Sequence, residues 1–236
     1  MRINLFLSKS GICSRRGADE LIAQGKVKLN GKTAKLGDQV TESCDVEVDG
    51  KKITHANRKQ IVLAYNKPVG IECTTDQARE NNIVDAVGYP DRIFPIGRLD
   101  QMSEGLILLT NRGEIVNPIL RSQFNHEKEY LIECQEVITG ETIRELAGGV
   151  DIDDERGPTK PCKVKKIGVK RLSLILTEGR NRQIRRMMEA VENRVVRLKR
   201  IRIMNIELGD LPSGQYRPLK KNELAAIEKA LEKSAQ

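Results

Sequence analysis

The chain has 236 residues, of which 39% are hydrophobic and 31% charged, a composition typical of one or two soluble domains. No apolar run approaches the ~20 residues of a membrane-spanning helix, which argues against a membrane protein. The apolar stretch at the amino terminus is short and lacks a small-residue cleavage site, so we expect no signal peptide and a cytoplasmic protein.

The net charge of +8 is concentrated in two segments. Residues 1–35 hold eight Lys and Arg against two acidic residues, and residues 180–202 hold nine against two. Basic segments of this kind predict a polyanionic partner, because each neutralised phosphate releases counterions; a solvated basic face is the alternative. Aromatic residues are only 3% and Trp is absent, which argues against a surface that binds long single-stranded nucleic acid by stacking on its bases.

The cysteine and histidine pattern argues against a metal site. No C-x-x-C pair occurs, and only two histidines are present, whereas a structural zinc site needs four clustered ligands. Isolated reduced thiols are therefore expected, and a nucleophilic cysteine has little support. The thiols concerned are Cys13, Cys44, Cys73, Cys134 and Cys162.

The first fifty residues form a small basic module in this interpretation. Ser14 is a suitable N-cap for a helix that ends near Gly25, and a short strand follows at 26–29. Asn30-Gly31 is a strong signal for a two-residue hairpin. Arginines at the helix start oppose the helix dipole, an arrangement that suits a docked phosphate.

A polar, turn-rich stretch at 51–59 predicts a linker, and residues 60–236 then alternate short strands and helices without βαβ rhythm. This order favours an α+β domain rather than a doubly wound sheet. A strand begins at 61–65, and helical spacing of apolar residues predicts a carboxy-terminal helix over 222–233. No GxGxxG or Walker loop is present, so no nucleotide cofactor is expected.

Asp100 stands at the end of Ile96-Gly97-Arg98-Leu99-Asp100, directly before an apolar run that predicts a buried strand. A carboxylate beside such a strand, with an arginine two residues before it, is a candidate nucleophile or base. The alternative is that Asp100 closes a turn by accepting hydrogen bonds from backbone N–H groups.

A second dense segment runs from Glu178 to Met188 and carries four arginines in seven residues. If the helix begins at Asn181, Ile184 and Met187 lie on an apolar face and the arginines on another. A solvated amphipathic helix would explain this pattern, but a glycine followed by clustered arginines at a helix start also suits an anion.

Residues 1–50 resemble the S4 RNA-binding domain. The resemblance is carried by a leading helix, by S-R-R-x-A-D-x-L-I from Ser14, by G-K-V-x-L-N-G from Gly25 and by D-x-V from Asp38. It implies an α-L module that binds structured RNA through phosphate contacts. The residues implied in these contacts are Lys9, Arg15, Arg16 and Lys28.

Three ordered segments resemble the pseudouridine synthases of the RsuA type, which also carry an S4 domain. They are Asn66-Lys67-Pro68-x-Gly70, Gly97-Arg98-Leu99-Asp100 and the Gly179 segment with Arg182-Gln183-Ile184-Arg185-Arg186. The runs at 126–130 and 202–205 further resemble the RluF-type branch, which modifies 23S ribosomal RNA. The resemblance implies an α+β fold, with a mixed, mainly antiparallel sheet in the catalytic domain.

The resemblance also implies a cofactor-independent isomerase with no metal, acting on structured RNA and as a monomer. Asp100 matches the catalytic aspartate, Tyr130 the tyrosine that stacks on the target base and takes part in proton handling, and Arg185 the arginine that pairs with the aspartate. The predicted substrate-binding residues are Lys67, Arg98, Asn181, Arg182, Gln183 and Leu198. The predicted substrate is 23S ribosomal RNA.

Other functions fit parts of the sequence. The same isomerase acting on 16S ribosomal RNA or transfer RNA fits the motifs equally well. A non-catalytic S4-type RNA-binding or ribosome-assembly factor explains the basic segments, but it gives no reason for Asp100, Tyr130 and the arginine motif to occur together. A glycosylase that releases free uracil is a further alternative.

Overall fold

The computed structural model describes residues 1–53 and 60–235. The chain divides into two compact units, Met1–Gln60 with Asn111–Gly113, and Ile61–Thr110 with Glu114–Gln236. Each unit has its own hydrophobic core. No helix in the described ranges is long and apolar enough to cross a membrane.

The first unit has two helices followed by a small antiparallel sheet with strand order β2-β1-β3-β4. Its elements are α1 (Ile3–Lys9), α2 (Arg15–Ala23), β1 (Val27–Leu29), β2 (Lys32–Thr33), β3 (Val46–Val48) and β4 (Lys51–Lys52). The core is formed by the apolar faces of both helices and of β1 and β3.

Local signals in the sequence account for these elements. The hydroxyl of Ser14 accepts a hydrogen bond from the Gly17 N–H at 2.9 Å, which caps α2 as predicted. Asn30 and Gly31 both have positive φ, 49° and 77°, as a tight hairpin between β1 and β2 requires. The predicted hairpin is therefore confirmed.

The predicted linker at 51–59 overlaps β4. Lys51 and Lys52 pair with Val48 and Glu47 of β3, so this part of the segment belongs to the small sheet. Residues 54–59 lie outside the described residues.

The second unit is built on a nine-stranded sheet. Its strands are β5 (Val62–Lys67), β6 (Phe94–Ile96), β7 (Glu104–Thr110), β8 (Lys128–Cys134), β9 (Lys163–Gly168), β10 (Arg171–Leu176), β11 (Val195–Ile203), β12 (Ile206–Glu207) and β13 (Tyr216–Pro218). Its helices are α3 (Ile83–Val87), α4 (Val116–Leu120), α5 (Gly140–Gly148), α6 (Gln183–Ala190) and α7 (Lys221–Ala235). Short 3-10 helices cover Gly113–Ile115 and Ser122–Phe124.

The main path of this sheet is β13-β5-β7-β11-β8-β10-β9, with β12 beside β11 and β6 beside β7. The pair β7–β11 is parallel, and the other described pairs of the sheet are antiparallel. The predicted α+β class with a mixed, mainly antiparallel sheet is confirmed.

Strand β7 is buried on both faces of the sheet. Ile107 and Leu109 belong to one core cluster, and Leu106 and Leu108 belong to the other. A strand covered on both sides shows a continuous apolar run rather than alternation. Burial on both faces accounts for the continuous apolar run after Asp100, from which a strand was predicted.

Gly105 brings β7 against β11. Its φ is +101°, and a Cβ at this position would overlap the carbonyl oxygen of Arg200. Only glycine permits this close approach without backbone movement. The contact places the loop that carries Asp100 beside the middle of β11.

The helix after the second arginine segment begins later than predicted. Helix α6 starts at Gln183, because Arg182 has a left-handed backbone with φ 49° and cannot belong to the helix. Helix α7 runs slightly beyond both ends of the predicted range.

Candidate functional site

A cavity of about 460 Å³ opens in the second unit, between the loop before β7, the start of α6 and the inner faces of β8 and β11. Its volume falls in the range of small-ligand sites. Nearly all of the predicted catalytic and substrate-binding residues of this unit line it. They are Arg98, Asp100, Tyr130, Asn181, Arg182, Gln183, Arg185 and Leu198.

Asp100 lies in the loop between β6 and β7, and its side chain is 34% exposed. Its backbone carbonyl accepts a hydrogen bond from the Ser103 N–H at 3.0 Å. Within the described ranges its carboxylate accepts no hydrogen bond from a backbone N–H. The turn-capping alternative therefore does not account for this side chain, and the carboxylate faces the cavity.

Arg185 on α6 is the cation next to Asp100. Its Nε lies 3.8 Å from Oδ2 of Asp100. The other end of the guanidinium is held by the carbonyl of Met102 at 3.0 Å, the hydroxyl of Ser103 at 3.4 Å and the carbonyl of Val195 at 3.4 Å. Burial lowers the pKa of Arg185, and Asp100 opposes that change. The charge is thus fixed in place from three sides.

Tyr130 and Leu198 provide the apolar wall of the cavity. Tyr130 lies on β8 and Leu198 on the adjacent β11, and both side chains are buried. Both also pack into the core of this face of the sheet. A flat ring and a branched aliphatic chain beside a carboxylate form a surface against which a planar base can lie.

Three of the four clustered arginines are occupied within the fold, and Arg185, described above, is one of them. Arg180 donates to the carbonyl of Pro158 at 2.8 Å and lies 3.3 Å from Glu178. Arg186 donates to the carbonyl of Asp153 at 2.6 Å. The interpretation that all four arginines are ready to bind an anion is therefore wrong for Arg180, Arg185 and Arg186.

Asn181 and Arg182 are exposed at the cavity mouth, whereas Gln183 is buried. Gln183 donates to Oε1 of Glu178 at 2.8 Å and accepts from the Arg180 N–H at 3.0 Å. Its amide therefore holds the segment before α6 in shape.

Lys67 does not line the cavity, although the sequence predicted a substrate contact. It is fully buried at the end of β5, and its ammonium donates to the carbonyls of Pro68 and Ile71, both at 2.8 Å. The Gln101 carbonyl accepts a longer bond of 3.4 Å from the same group. These contacts hold Lys67 mainly to the segment that follows β5, with one longer bond to the loop after Asp100.

Two buried cations in the cavity were missed, Lys128 and Arg200. Lys128 precedes Tyr130 by two residues on β8, and Arg200 follows Leu198 by two on β11. Alternation along a strand places each on the same face as its neighbour. This alternation in the sequence could have identified both residues as facing the site. Burial, with a smaller effect from Arg200, lowers the pKa of Lys128 to about 8.

The predicted phosphate contacts of the first unit are all exposed. Arg15 and Arg16 form the first turn of α2, Lys9 ends α1, and Lys28 points outward from β1. The described part of this unit therefore presents cations to solvent at the predicted positions.

All five cysteines are free thiols. No three metal-ligating side chains cluster within residues 1–53 and 60–235.

Comparison with known proteins gives matches over both units. Residues 1–46 match the S4 domain, and residues 61–190 match the family described as RNA pseudouridylate synthase. The dual-specificity RNA pseudouridine synthase RluF of Escherichia coli strain K12 is 48% identical over 236 residues, which is 100% of this chain and 81% of that protein.

More distant relatives agree. The ribosomal large subunit pseudouridine synthase B of Bacillus subtilis is 35% identical over 96% of this chain and 95% of that protein. A solved structure described as a pseudouridylate synthase superposes with a TM-score of 0.70 at 29% identity, covering 98% of this chain and 99% of that one.

Proposed function

Because this chain belongs to the RNA pseudouridine synthase family, in the RluF-type branch that carries an S4 domain, we propose that Asp100 is its catalytic group and 23S ribosomal RNA its substrate. The activity of the chain is the isomerisation of uridine to pseudouridine in RNA. The reaction breaks the bond between C1′ of the ribose and N1 of uracil, rotates the base and rejoins C1′ to C5.

The observation that carries the role of Asp100 is its position in the cavity with Arg185 Nε at 3.8 Å. The Arg185 guanidinium thus places a positive charge beside the carboxylate. An ionised carboxylate can act at the sugar as a nucleophile or as a base. Because Arg185 is itself held by backbone carbonyls, it also limits how far the carboxylate can turn.

The target uridine must leave its stack before Asp100 can reach the sugar. We assign Tyr130 to stack on the extruded base and to take part in proton handling, and Leu198 to line its other edge. Arg98, Asn181 and Arg182 at the cavity would contact the flanking nucleotides. Gln183 supports this rim through Glu178. Lys67 supports the segment after β5 and, through one longer bond, the loop of Asp100, rather than the substrate.

Residues 1–50 and 60–236 are proposed as separate RNA-binding and catalytic domains of a monomer. The exposed cations of the S4 domain would bind phosphates of a folded RNA and add affinity that depends on salt. They are Lys9, Arg15, Arg16 and Lys28.

The proposal of 23S ribosomal RNA is supported by a relative whose name refers to the large ribosomal subunit. The RluF relative is named a dual-specificity synthase, which suggests a second RNA substrate; 16S ribosomal RNA and transfer RNA are the alternatives. An enzyme with either substrate would act in the cytoplasm.

The test measures tritium release from RNA labelled at C5 of uridine, since C5 exchanges its hydrogen for a bond to C1′. Wild type and Asp100→Asn are compared on 23S, 16S and transfer RNA. Asp91→Asn, an exposed aspartate of the same unit, is the matched control. We expect release by wild type and the control on 23S RNA, and none by Asp100→Asn despite nearly unchanged RNA affinity.

Native-rate release by Asp100→Asn would disprove the assignment of the catalytic group. Release from 16S or transfer RNA alone would disprove the proposed substrate. Liberation of free uracil, measured in the same samples, would indicate that the base is not rejoined.

A further inference from the structure

The cavity holds two cations that the proposed mechanism does not use. Lys128 is 7% exposed and Arg200 is 4% exposed, and both line the same space as Asp100 and Tyr130. They lie on the paired strands β8 and β11, where Arg200 is directly opposite Tyr130. The Arg200 guanidinium carbon lies 6.0 Å from the centre of the Tyr130 ring.

Neither cation has an acidic partner among the residues that the structure describes. The Lys128 ammonium donates a long hydrogen bond of 3.4 Å to the His126 carbonyl. Arg200 donates through Nε to the Leu106 carbonyl at 2.7 Å, while its buried Nη2 has no hydrogen-bond partner in the described chain. Buried charges are costly unless they are paired, so this arrangement suits an anion that arrives with the substrate.

The two carboxylates that line the cavity are already engaged. Asp100 faces Arg185, and Glu178 binds Gln183 and Arg180. The donors of Lys128 and Arg200 are therefore left for a group that enters the cavity.

The isomerisation itself creates such an anion. When the bond between C1′ and N1 breaks, its electron pair stays with N1, and the negative charge spreads over the uracil ring and its O2 and O4 oxygens. Asp100 acts on the sugar and carries negative charge itself, so it cannot stabilise the charge on the base. Preorganised donors directed at developing charge commonly make a large contribution to catalysis.

We infer that Lys128 and Arg200 form a cationic site that stabilises the uracil anion as the glycosidic bond breaks. This inference rests on the proposed function of Asp100. No proton moves as the C1′–N1 bond breaks: its electron pair stays on the base, while Asp100 holds C1′ as an ester or an ion pair. C5 then forms the new bond to C1′, and C5 loses a proton as N1 gains one, so the product is an isomer of uridine. By touching the reacting base, both residues would be catalytic.

The experiment compares uridine with 5-fluorouridine at the target position of the RNA. Fluorine withdraws electrons and stabilises the uracil anion, so cleavage of the fluorinated nucleotide depends less on external cations. Loss of the parent nucleoside is followed by digestion and mass spectrometry, in single-turnover reactions with saturating enzyme. Tritium release is unsuitable here, because C5 of the fluorinated base carries no hydrogen.

Lys128→Met is the first variant, since Lys128 makes few contacts within the fold. We expect it to slow the loss of uridine by about 100-fold, but to slow the loss of 5-fluorouridine by less than ~10-fold. Arg200→Gln is the second variant, and we expect it likewise to slow the loss of uridine more than the loss of 5-fluorouridine. Lys165→Met removes an exposed cation on β9, away from the cavity, and should leave both rates unchanged.

Equal slowing of both nucleosides by Lys128→Met and Arg200→Gln would overturn the inference, because a structural role does not depend on the leaving group. Lost RNA affinity with an unchanged single-turnover rate would also overturn it, and would indicate a site for a backbone phosphate. Unchanged rates of nucleoside loss in both variants would also overturn the inference. Asp100→Asn is assayed in parallel: if it stays active, the proposed function fails separately.

Discussion

Arg185 Nε lies 3.8 Å from Asp100 Oδ2, while Nη2 of the same guanidinium donates to the carbonyl of Met102, two residues beyond Asp100. One side chain of α6 therefore contacts both the carboxylate and the backbone of the loop that carries it. Asp100 and Arg185 are far apart in the sequence, and the parallel pairing of β7 with β11 brings their segments together. Arg185 thus positions the loop of the proposed catalytic group and places a positive charge beside its carboxylate.

Arg185→Lys tests this arrangement. Lysine keeps the positive charge but cannot reach Asp100 and the Met102 carbonyl together, because it lacks the planar fork. We expect turnover to fall roughly 10- to 100-fold, equivalent to ~1.4–2.7 kcal/mol, with RNA affinity nearly unchanged. Single-turnover tritium release and filter binding measure the two quantities. Arg194→Lys, an exposed change just beyond α6, is the control; equal losses in both variants would contradict the prediction.

Arg180 and Arg182 should have different roles although they are two residues apart. The side chain of Arg180 is 4% exposed and is bonded to Glu178 and Pro158, so Arg180→Met leaves buried polar groups without partners. We expect a loss of about 3 kcal/mol in the free energy of unfolding, which lowers the melting temperature by roughly 6–12 °C. Thermal denaturation monitored by circular dichroism measures it.

Arg182→Gln should instead leave stability within ~0.5 kcal/mol of wild type, because this side chain is exposed. Its RNA affinity should fall, and the slope of log affinity against log salt should decrease by about one. A destabilised Arg182 variant, or a stable Arg180 variant, would show that the roles are reversed.

The sequence predicted the fold class because its strands and turns carry strong local signals. The continuous apolar run of β7 indicated a buried strand, and Asn30-Gly31 indicated the first hairpin. The start of α6 was predicted two residues early, because nothing in the residue type of Arg182 indicates a left-handed backbone. In the structure, Gln183 bonds Glu178 and the Arg180 N–H around this turn, contacts that the residue type of Arg182 does not reveal.

The site was predicted incompletely for a related reason. Motif matching gave Asp100, Tyr130 and Arg185, which do lie around one cavity. It could not distinguish Lys67, whose ammonium is held by three carbonyls, from a cation open to substrate. Burial and partner atoms decide the role of a charged side chain, and both depend on segments distant in sequence.

The S4 domain should contribute affinity through Arg15 and Arg16. The double variant Arg15→Ala with Arg16→Ala removes two exposed charges at the start of α2. We expect weaker RNA binding and a salt slope reduced by about two, since each lost phosphate contact reduces counterion release. Binding is measured across a salt series.

Lys229→Ala with Lys233→Ala is the matched control, because it removes two exposed charges from α7. An unchanged slope for the Arg15 and Arg16 variant, or an equal change in the control, would contradict a specific phosphate contact by the S4 domain.

Lys128 should lower the stability of the free protein. Burial lowers the pKa of Lys128 from 10.5 to about 8, so its charged form costs on the order of 3 kcal/mol in the fold. This cost is fully present below pH 8 and is relieved as pH rises towards 10.5, where the unfolded chain also loses the proton.

Lys128→Met should therefore be more stable than wild type at pH 7, and the difference in stability should narrow at pH 9.5. Urea denaturation at both pH values measures it, with Lys165→Met as an exposed control. A difference independent of pH would show that burial does not lower the pKa of Lys128, because the folded and unfolded chains would then bind the same number of protons over this range. A variant that is more stable but slower would indicate that the buried charge is retained for the reaction.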